Sequence, residues 1–296
     1  MNMSWTVLVN PACRLGEGLS WSHARQALMF VDIHGQRILQ YTLSTGQLQE
    51  WATPQRVGWL IPRAHHSGFV AGFQQGFALI ELADTLSLTW LAKPFGAEQA
   101  FMRLNDAKAD AQGRIWAGCL NNEDESQAIG RLYCLATDGT LQTADEGYCV
   151  PNGPAISPDG SVFLHTDSAR RTVYAFDLNT ARGVLSNKRV WRVFAEDEGY
   201  PDGMNFDADG HVWIAHWGAG CVSQFSIRGE LLQRFKLPVS NATNMAFGGD
   251  GLSRLFVTTA RQGLSEAQLA LEPFAGAVFE LNGHGTRGLP PLAYGA

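Results

Sequence analysis

Five side chains stand out as candidates for chemistry. Glu17 lies in LGEGLSW, Arg103 and Asn105 in RLND, Asn152 in VPNGPAISPDG and Asp202 in YPDGMNFDADG. Four of them share a phase relative to a recurring apolar strand. Ten residues separate Asn105 from Ile115, Asn152 from Val162 and Asp202 from Val212, and 11 separate Glu17 from Leu28. Turn formation alone accounts for an Asn or Asp beside Gly, as at 152 and 202, but not for the common spacing. In units arranged as a ring, equivalent positions converge on the axis. Glu17, Asn105, Asn152 and Asp202 would then gather two carboxylates and two carboxamides, with no Cys or His. An oxygen-only set suits a hard divalent cation and leaves coordination positions open for water or substrate.

The positioning elements are legible as a repeat. Turns rich in Asp and Gly lead into short apolar, aromatic strands in DAQGRIWAG, SPDGSVFLHTDS, DADGHVWIAH and GGDGLSRLFVTTA, with weaker copies in ARQALMFVDIHG and HHSGFVAGF. The Asp-Gly steps fit hairpin turns that need positive φ. Strand starts at Leu28, Phe69, Ile115, Val162, Val212 and Leu255 are spaced by 41, 46, 47, 50 and 43 residues. That period holds about four short strands with their turns. Six such sheets packed radially bury each other's faces, so the expected fold is all-β, a six-bladed β-propeller occupying residues 1–296 as one domain. WTVLVN near the N-terminus is expected to pair into the last blade and close the ring. LSEAQLALEP, residues 264–273, reads as a short helix opened by Ser265 and Gln268 in capping-box spacing.

Composition removes several function classes. The chain has 296 residues, 45% of them hydrophobic and 17% charged, which is too apolar for disorder. A net charge of −6, with no dense Lys/Arg cluster, argues against nucleic acid as a partner. No run of eighteen apolar residues offers a membrane span. The apolar run Trp5–Val9 is too short for a secretory segment, and five dispersed cysteines lack any C-x-x-C pair. A cytoplasmic location with free thiols is the expectation. There is no G-x-S-x-G, G-x-G-x-x-G or H-E-x-x-H, so serine-elbow hydrolysis and dinucleotide chemistry lose support.

LGEGLSW, RLNDAKADAQGRIWAG, VPNGPAISPDG, YPDGMNFDADGHVWIAHWGAG, NMAFGGDGLSRLFVTTA and PFAGAVFEL with RGLP together resemble the gluconolactonase/regucalcin family, also called senescence-marker-protein-like. The similarity runs in order from about residue 12 to 292. It implies a six-bladed propeller holding one divalent metal ion in its channel and, where active, hydrolysing sugar lactones. Carried over by residue, it puts the metal ligands at Glu17, Asn152 and Asp202 and substrate contacts at Arg103, Asn105 and Glu123, the last in the loop NNEDESQ. Three positions depart from the family pattern: Ala107, Gly118-Cys119 and Asn244-Met245. They bear on the substrate rather than on the ligand set.

The expected activity is therefore metal-dependent hydrolysis of an aldonic-acid lactone to the open sugar acid, a carboxylic-ester hydrolase with Asp202 as base. Ca²⁺ is the favoured ion, and Zn²⁺, Mn²⁺, Mg²⁺ or Fe²⁺ are compatible with the same ligands. The partner is a small sugar lactone, with no obligate protein partner. The alternative is a non-catalytic metal-binding or interaction propeller. Arg103 beside Asn105 weighs against it, since a structural ion needs no arginine. Other tempting residues read as structural: His216 and Trp217 after the fifth repeat strand, His34, His65 and His66, and the thiols Cys119 and Cys221, which lack a partnered His. Asp106 reads equally well as a support for the ligands or as a structural residue.

Overall fold

The computed structural model describes residues 4–295. Among them, 24 strands form six antiparallel sheets of four strands each, arranged as a six-bladed β-propeller with almost no helix. The repeat strands named above are the second strands of their blades. Phe69, Ile115, Val162 and Val212 begin theirs, and Leu28 and Leu255 lie one residue inside. The chemistry-bearing residues therefore lie one strand further in, against the channel: Gly16–Ser22, Val57–Pro62, Met102–Ala109, Pro151–Ile156, Tyr200–Phe206 and Ala242–Gly248.

Burial falls outward across a blade. Ala27–Asp32 and Ile115–Asn121 are buried at every position, because both faces of a second strand meet neighbouring blades. The fourth strand of blade 4, Val184–Val193, is mostly exposed. Ser4–Val9 pairs antiparallel with Val278–Asn282 and completes blade 6, as expected, with the Trp5 ring set edge-on to Phe279. Among the described residues the one α-helix is Glu266–Leu271, with the Ser265/Gln268 capping box in place.

Buried aspartates fix the ends of the inner strands. Asp32 accepts hydrogen bonds from the N–H groups of Arg14 and Leu15, just ahead of Glu17. Asp167 does the same for Cys149 and Val150, just ahead of Asn152. A second group staples turns to strands. The Asp110 carboxylate accepts from the Arg114 N–H and the Trp116 indole, and Asp207 accepts from the His211 N–H and the Trp213 indole. Asp207 also takes bonds from the Gln224 amide and the Thr286 hydroxyl. These donors outweigh burial and lower its pKa.

Thr286 belongs to a C-terminal strap. Ala208 N–H donates to Arg287 O, Gly288 N–H to Leu252 O, Tyr294 N–H to Pro62 O and Gly295 N–H to Gly113 O. The segment thus crosses from blades 5 and 6 to blades 2 and 3, laying Leu289–Leu292 against one end of the channel. Asp207 holds both turn and strap, so Asp207→Ala leaves several buried donors without an acceptor. It is expected to cost about 3 kcal/mol or more, a fall in Tm of roughly 6–12 °C. Asp209→Ala, an exposed neighbour, should leave Tm within about 1–2 °C of wild type on the usual scale of surface substitutions. Calorimetry on both variants checks this, and equal Tm values would refute the staple.

Candidate active site

Every inner strand slips register once against its neighbour. The shifts fall at Glu17/Ser20, Val57/Trp59, Leu104/Ala107, Asn152/Ala155, Pro201/Met204 and Ala242/Asn244. One extra residue in a strand is a β-bulge, which re-aims side chains. Here two consecutive residues of one strand reach the channel. Glu17, Asn105, Asn152 and Asp202 line a cavity of about 380 Å³ open at one end, while Gly18, Asp106 and Asn244 line a second cavity of about 140 Å³ under the strap. Two residues before each of the four lie Leu15, Arg103, Val150 and Tyr200, which also line the larger cavity. The strand's two-residue period thus stacks a rim layer on a base layer.

The floor between the cavities depends on small residues. A Cβ on Gly203 would sit 2.6 Å from the Asn244 side chain, and one on Gly153, at φ +73°, 2.6 Å from Met204. In the space so left, the Asn244 amide donates to Glu17 Oε2 at 3.1 Å and to Asp106 Oδ2 at 3.4 Å. Below the floor, Lys108 donates to Asn205 Oδ1 at 2.8 Å.

A hydrogen-bonded arc joins the other base residues. Arg103 Nη1 donates to Leu104 O and Asn105 Oδ1, and its Nε to Asn122 Oδ1. The Asn105 amide donates to Pro151 O at 2.7 Å and to Asn152 Oδ1 at 2.8 Å. Asn152 in turn donates to the Ser168 hydroxyl at 2.9 Å, and Ser168 donates to Pro201 O. Asp202 Oδ1 is buried without a partner.

The charges at the base oppose one another. Burial, then the nearby Asp106 charge, pushes the Glu17 carboxyl up to about 8. Burial raises Asp106 to about 6, against the pull of Lys108. Asp202 is raised well above the usual carboxylate range by burial and then by Glu17 and Asp106. Burial also lowers Arg103 to about 10. Three buried carboxyls that oppose one another's ionisation, one of them with an unbonded oxygen, are what a divalent cation would relieve.

A sequence profile described as the SMP-30/Gluconolactonase/LRE-like region matches residues 15–261. The chain belongs to that family. It is 33% identical to a regucalcin of Danio rerio over 282 residues, covering 95% of this chain and 94% of the other. It is likewise 33% identical to a pentonolactonase of Haloferax volcanii over 295 residues, covering 95% and 94%. A solved structure described as a calcium-binding protein, regucalcin, from Agrobacterium tumefaciens superposes with a TM-score of 0.93 at 26% identity, covering 99% and 97%.

Against the family expectation, Glu17, Arg103, Asn105, Asn152 and Asp202 all face one well. Glu123 does not. Its N–H and that of Asp124 bond to the Asn121 carboxamide, a turn that leaves Glu123 exposed and outside the lining. Glu125 and Ser126 line the well instead, so the glutamate that the structure brings to it lies two residues after Glu123. Asn105 spends both amide hydrogens on protein, leaving only Oδ1 lone-pair capacity for a ligand. His216 is buried with Nδ1 against Glu198 O, and the adjacent Trp217 lines the well. Ser168 and Asn244 were not singled out for a site role by spacing. Asn244 carries a usable signal, since it lies 11 residues before Leu255 as Glu17 does before Leu28; Ser168 follows a strand end and carries none.

Asp207, Asp209 and His211 also lie close enough to share an ion. The Asp207 oxygens are already committed to the donors described above, so this cluster is a stapled turn. The donor set that fits a divalent cation is Glu17, Asn152 and Asp202.

A pH dependence follows. Glu17 ionises near 4.5 when unfolded and near 8 in the well. A carboxyl raised on folding contributes stability that is complete below about pH 4.5 and is lost as pH rises through about 8. In chelator-treated protein, Tm should therefore fall between pH 5 and 8; Glu17→Gln should reduce that slope, with Asp106 and Asp202 carrying what remains, and saturating CaCl₂ should flatten it. A pH-independent Tm in chelator-treated wild type would contradict the assignment.

Proposed function

We propose that this protein is a divalent-cation-dependent hydrolase of sugar lactones. The observation that carries the reading is the pairing of two unlike features in one well. Oxygen donors from Glu17, Asn152 and Asp202 form the base, and in the layer above, two residues before Asn105 on its strand, Arg103 is tied through Nε and Nη1 while Nη2 has no acceptor among the described residues. A purely structural ion has no use for an arginine held in this way. The 33% identity to a pentonolactonase supports a lactone substrate.

A cation bound at the base supplies Lewis acidity to the lactone carbonyl. Asp202, with an oxygen free of protein bonds, takes a proton from the water that adds to the carbonyl carbon. The ring C–O bond then breaks, and that proton passes to the departing ring oxygen, giving the hydroxy acid. Arg103 Nη2 holds oxygens of the sugar, and Glu125 at the lining accepts from its hydroxyls. The C-terminal strap closes the opposite end of the channel, so substrate enters and product leaves by the one mouth.

Acid release from a panel of sugar lactones, with and without chelator, tests the reading. Chelator-sensitive release is expected; a protein that binds the ion but hydrolyses none of the panel would favour a calcium-binding role like that ascribed to the Agrobacterium relative. Asp202→Ala removes a charge, a ligand and the base together. It should abolish hydrolysis and weaken cation binding at least about tenfold, whereas Asn152→Ala should be rescued more fully by excess cation. Arg103 cannot be a metal ligand, because a guanidinium has no acceptor. Arg103→Ala should lower kcat/KM by about one to two decades, the loss of a charge-assisted bond of about 1.5–3 kcal/mol, with cation stoichiometry unchanged. Unaltered kcat/KM would remove it from the site.

A further inference from the structure

The arc from Arg103 to Pro201 has a direction that chemistry fixes at both ends. A guanidinium only donates and a proline carbonyl only accepts. Arg103 donates into Asn105, so the Asn105 atom it meets is oxygen. The other Asn105 atom is then nitrogen, as its bond to Pro151 O requires, and the Asn152 atom facing it must be oxygen. At the far end, Ser168 has one hydrogen and gives it to Pro201 O. Its oxygen can only accept from Asn152, so the Asn152 atom facing Ser168 must be nitrogen. The two constraints agree, and the flip of each amide is determined.

We propose that Ser168 is a positioning residue for the cation site. By accepting from Asn152 Nδ2 while donating to the carbonyl of Pro201, it holds the Asn152 oxygen toward the base of the well and ties that ligand to the strand carrying Asp202. The inference rests on the reading of Asn152 as a cation ligand. Ser168 is itself buried and lies between the inner strands of blades 4 and 5. Without it, the Asn152 amide group loses its acceptor and keeps a single anchor at Asn105. The carboxamide can then swing about its terminal torsion, which is broad and weakly restrained. Partners that orient a ligand in this way typically change metal affinity by about 10–100-fold when removed.

The test is isothermal titration of the full chain with CaCl₂ and with MnCl₂, alongside Tm measured in chelator. Ser168→Ala should weaken cation binding about tenfold or more, and Ser168→Thr, which keeps the hydroxyl, should stay within about threefold of wild type. The deciding variants are Asn152→Asp and Asn152→Asp with Ser168→Ala. A carboxylate has no donor side to misplace, so removing Ser168 should cost less than about threefold in that background. An equal loss in both backgrounds would mean that Ser168 acts through the Pro201 strand and would overturn the proposal, as would undiminished binding in Ser168→Ala. If wild type takes up neither cation, the cation reading itself falls and this inference falls with it. Wild-type binding with an unaffected Ser168→Ala defeats the inference alone.

Discussion

The site depends on one extra residue in each inner strand. A regular strand alternates its side chains, so it would send one residue of each adjacent pair to the channel and the next into the blade. All six inner strands slip register, and in blades 1, 3, 4 and 5 the slip changes that alternation at the base of the well. Two neighbouring residues of one strand meet the axis there, one facing the open well and the next facing the floor. Glu17 with Gly18, Asn105 with Asp106, Asn152 with Gly153 and Asp202 with Gly203 are such pairs. Where the second member is glycine, space is left for Asp106 and Asn244 to reach across from their own blades. The oxygens of the well above and a hydrogen-bonded floor below therefore arise from a single backbone device, and neither could be placed by unbroken pleats.

The floor gives the channel its polarity. Glu17, Asp106 and Asp202 are buried within reach of one another's charge, and the fixed positive groups are unequally placed. Lys108 lies below, spending a hydrogen on Asn205, and Arg103 lies above, fastened by three bonds. Burial weakens the hold of both on their protons. Neither forms an ion pair with the base carboxyls, so the negative charge there has no fixed positive partner among the described residues. The strap Leu289–Leu292 lies against the opposite end, which leaves the well as the accessible side of that charge.

The architecture was legible because it repeats. Asp-Gly or Gln-Gly turns mark where the second strand begins in blades 3 to 6, with weaker copies in blades 1 and 2, and counting back 10 or 11 residues reaches the base of the well in blades 1, 3, 4 and 5. The count works because the hairpin between the first two strands has nearly the same length in each blade. The bulge itself was not legible, since an inserted residue leaves no mark on hydropathy when its neighbours are Gly, Asn and Asp. Glu123 shows the limit from another side. It belongs to a loop whose course is set by the Asn121 carboxamide and not by a strand period, so counting through that loop does not say which side chain reaches the well. Ser168 was hidden for a third reason: its role exists only through partners 16 and 33 residues away.

The same residue type serves opposite ends in this chain, and the number of donors around each carboxylate decides which. Asp207 and Asp202 lie five residues apart on and just after one strand, and both are buried. Asp207 is surrounded by the N–H groups of Asp209 and His211, the Trp213 indole, the Gln224 amide and the Thr286 hydroxyl. It stays ionised, and its oxygens have no capacity to spare. Asp202 meets no such donors, keeps an oxygen unbonded and is pushed toward its protonated form. A saturated carboxylate holds a turn. An unsaturated one, set on a bulge beside Glu17 and Asn152, is left with a free energy that protein groups do not relieve, and a proton, a cation or a reacting water can. Proximity of acidic groups is therefore a weaker argument for a cation site than unspent lone pairs: in the cluster of Asp207, Asp209 and His211 the Asp207 oxygens are committed to protein donors, whereas Asp202 keeps an oxygen unbonded.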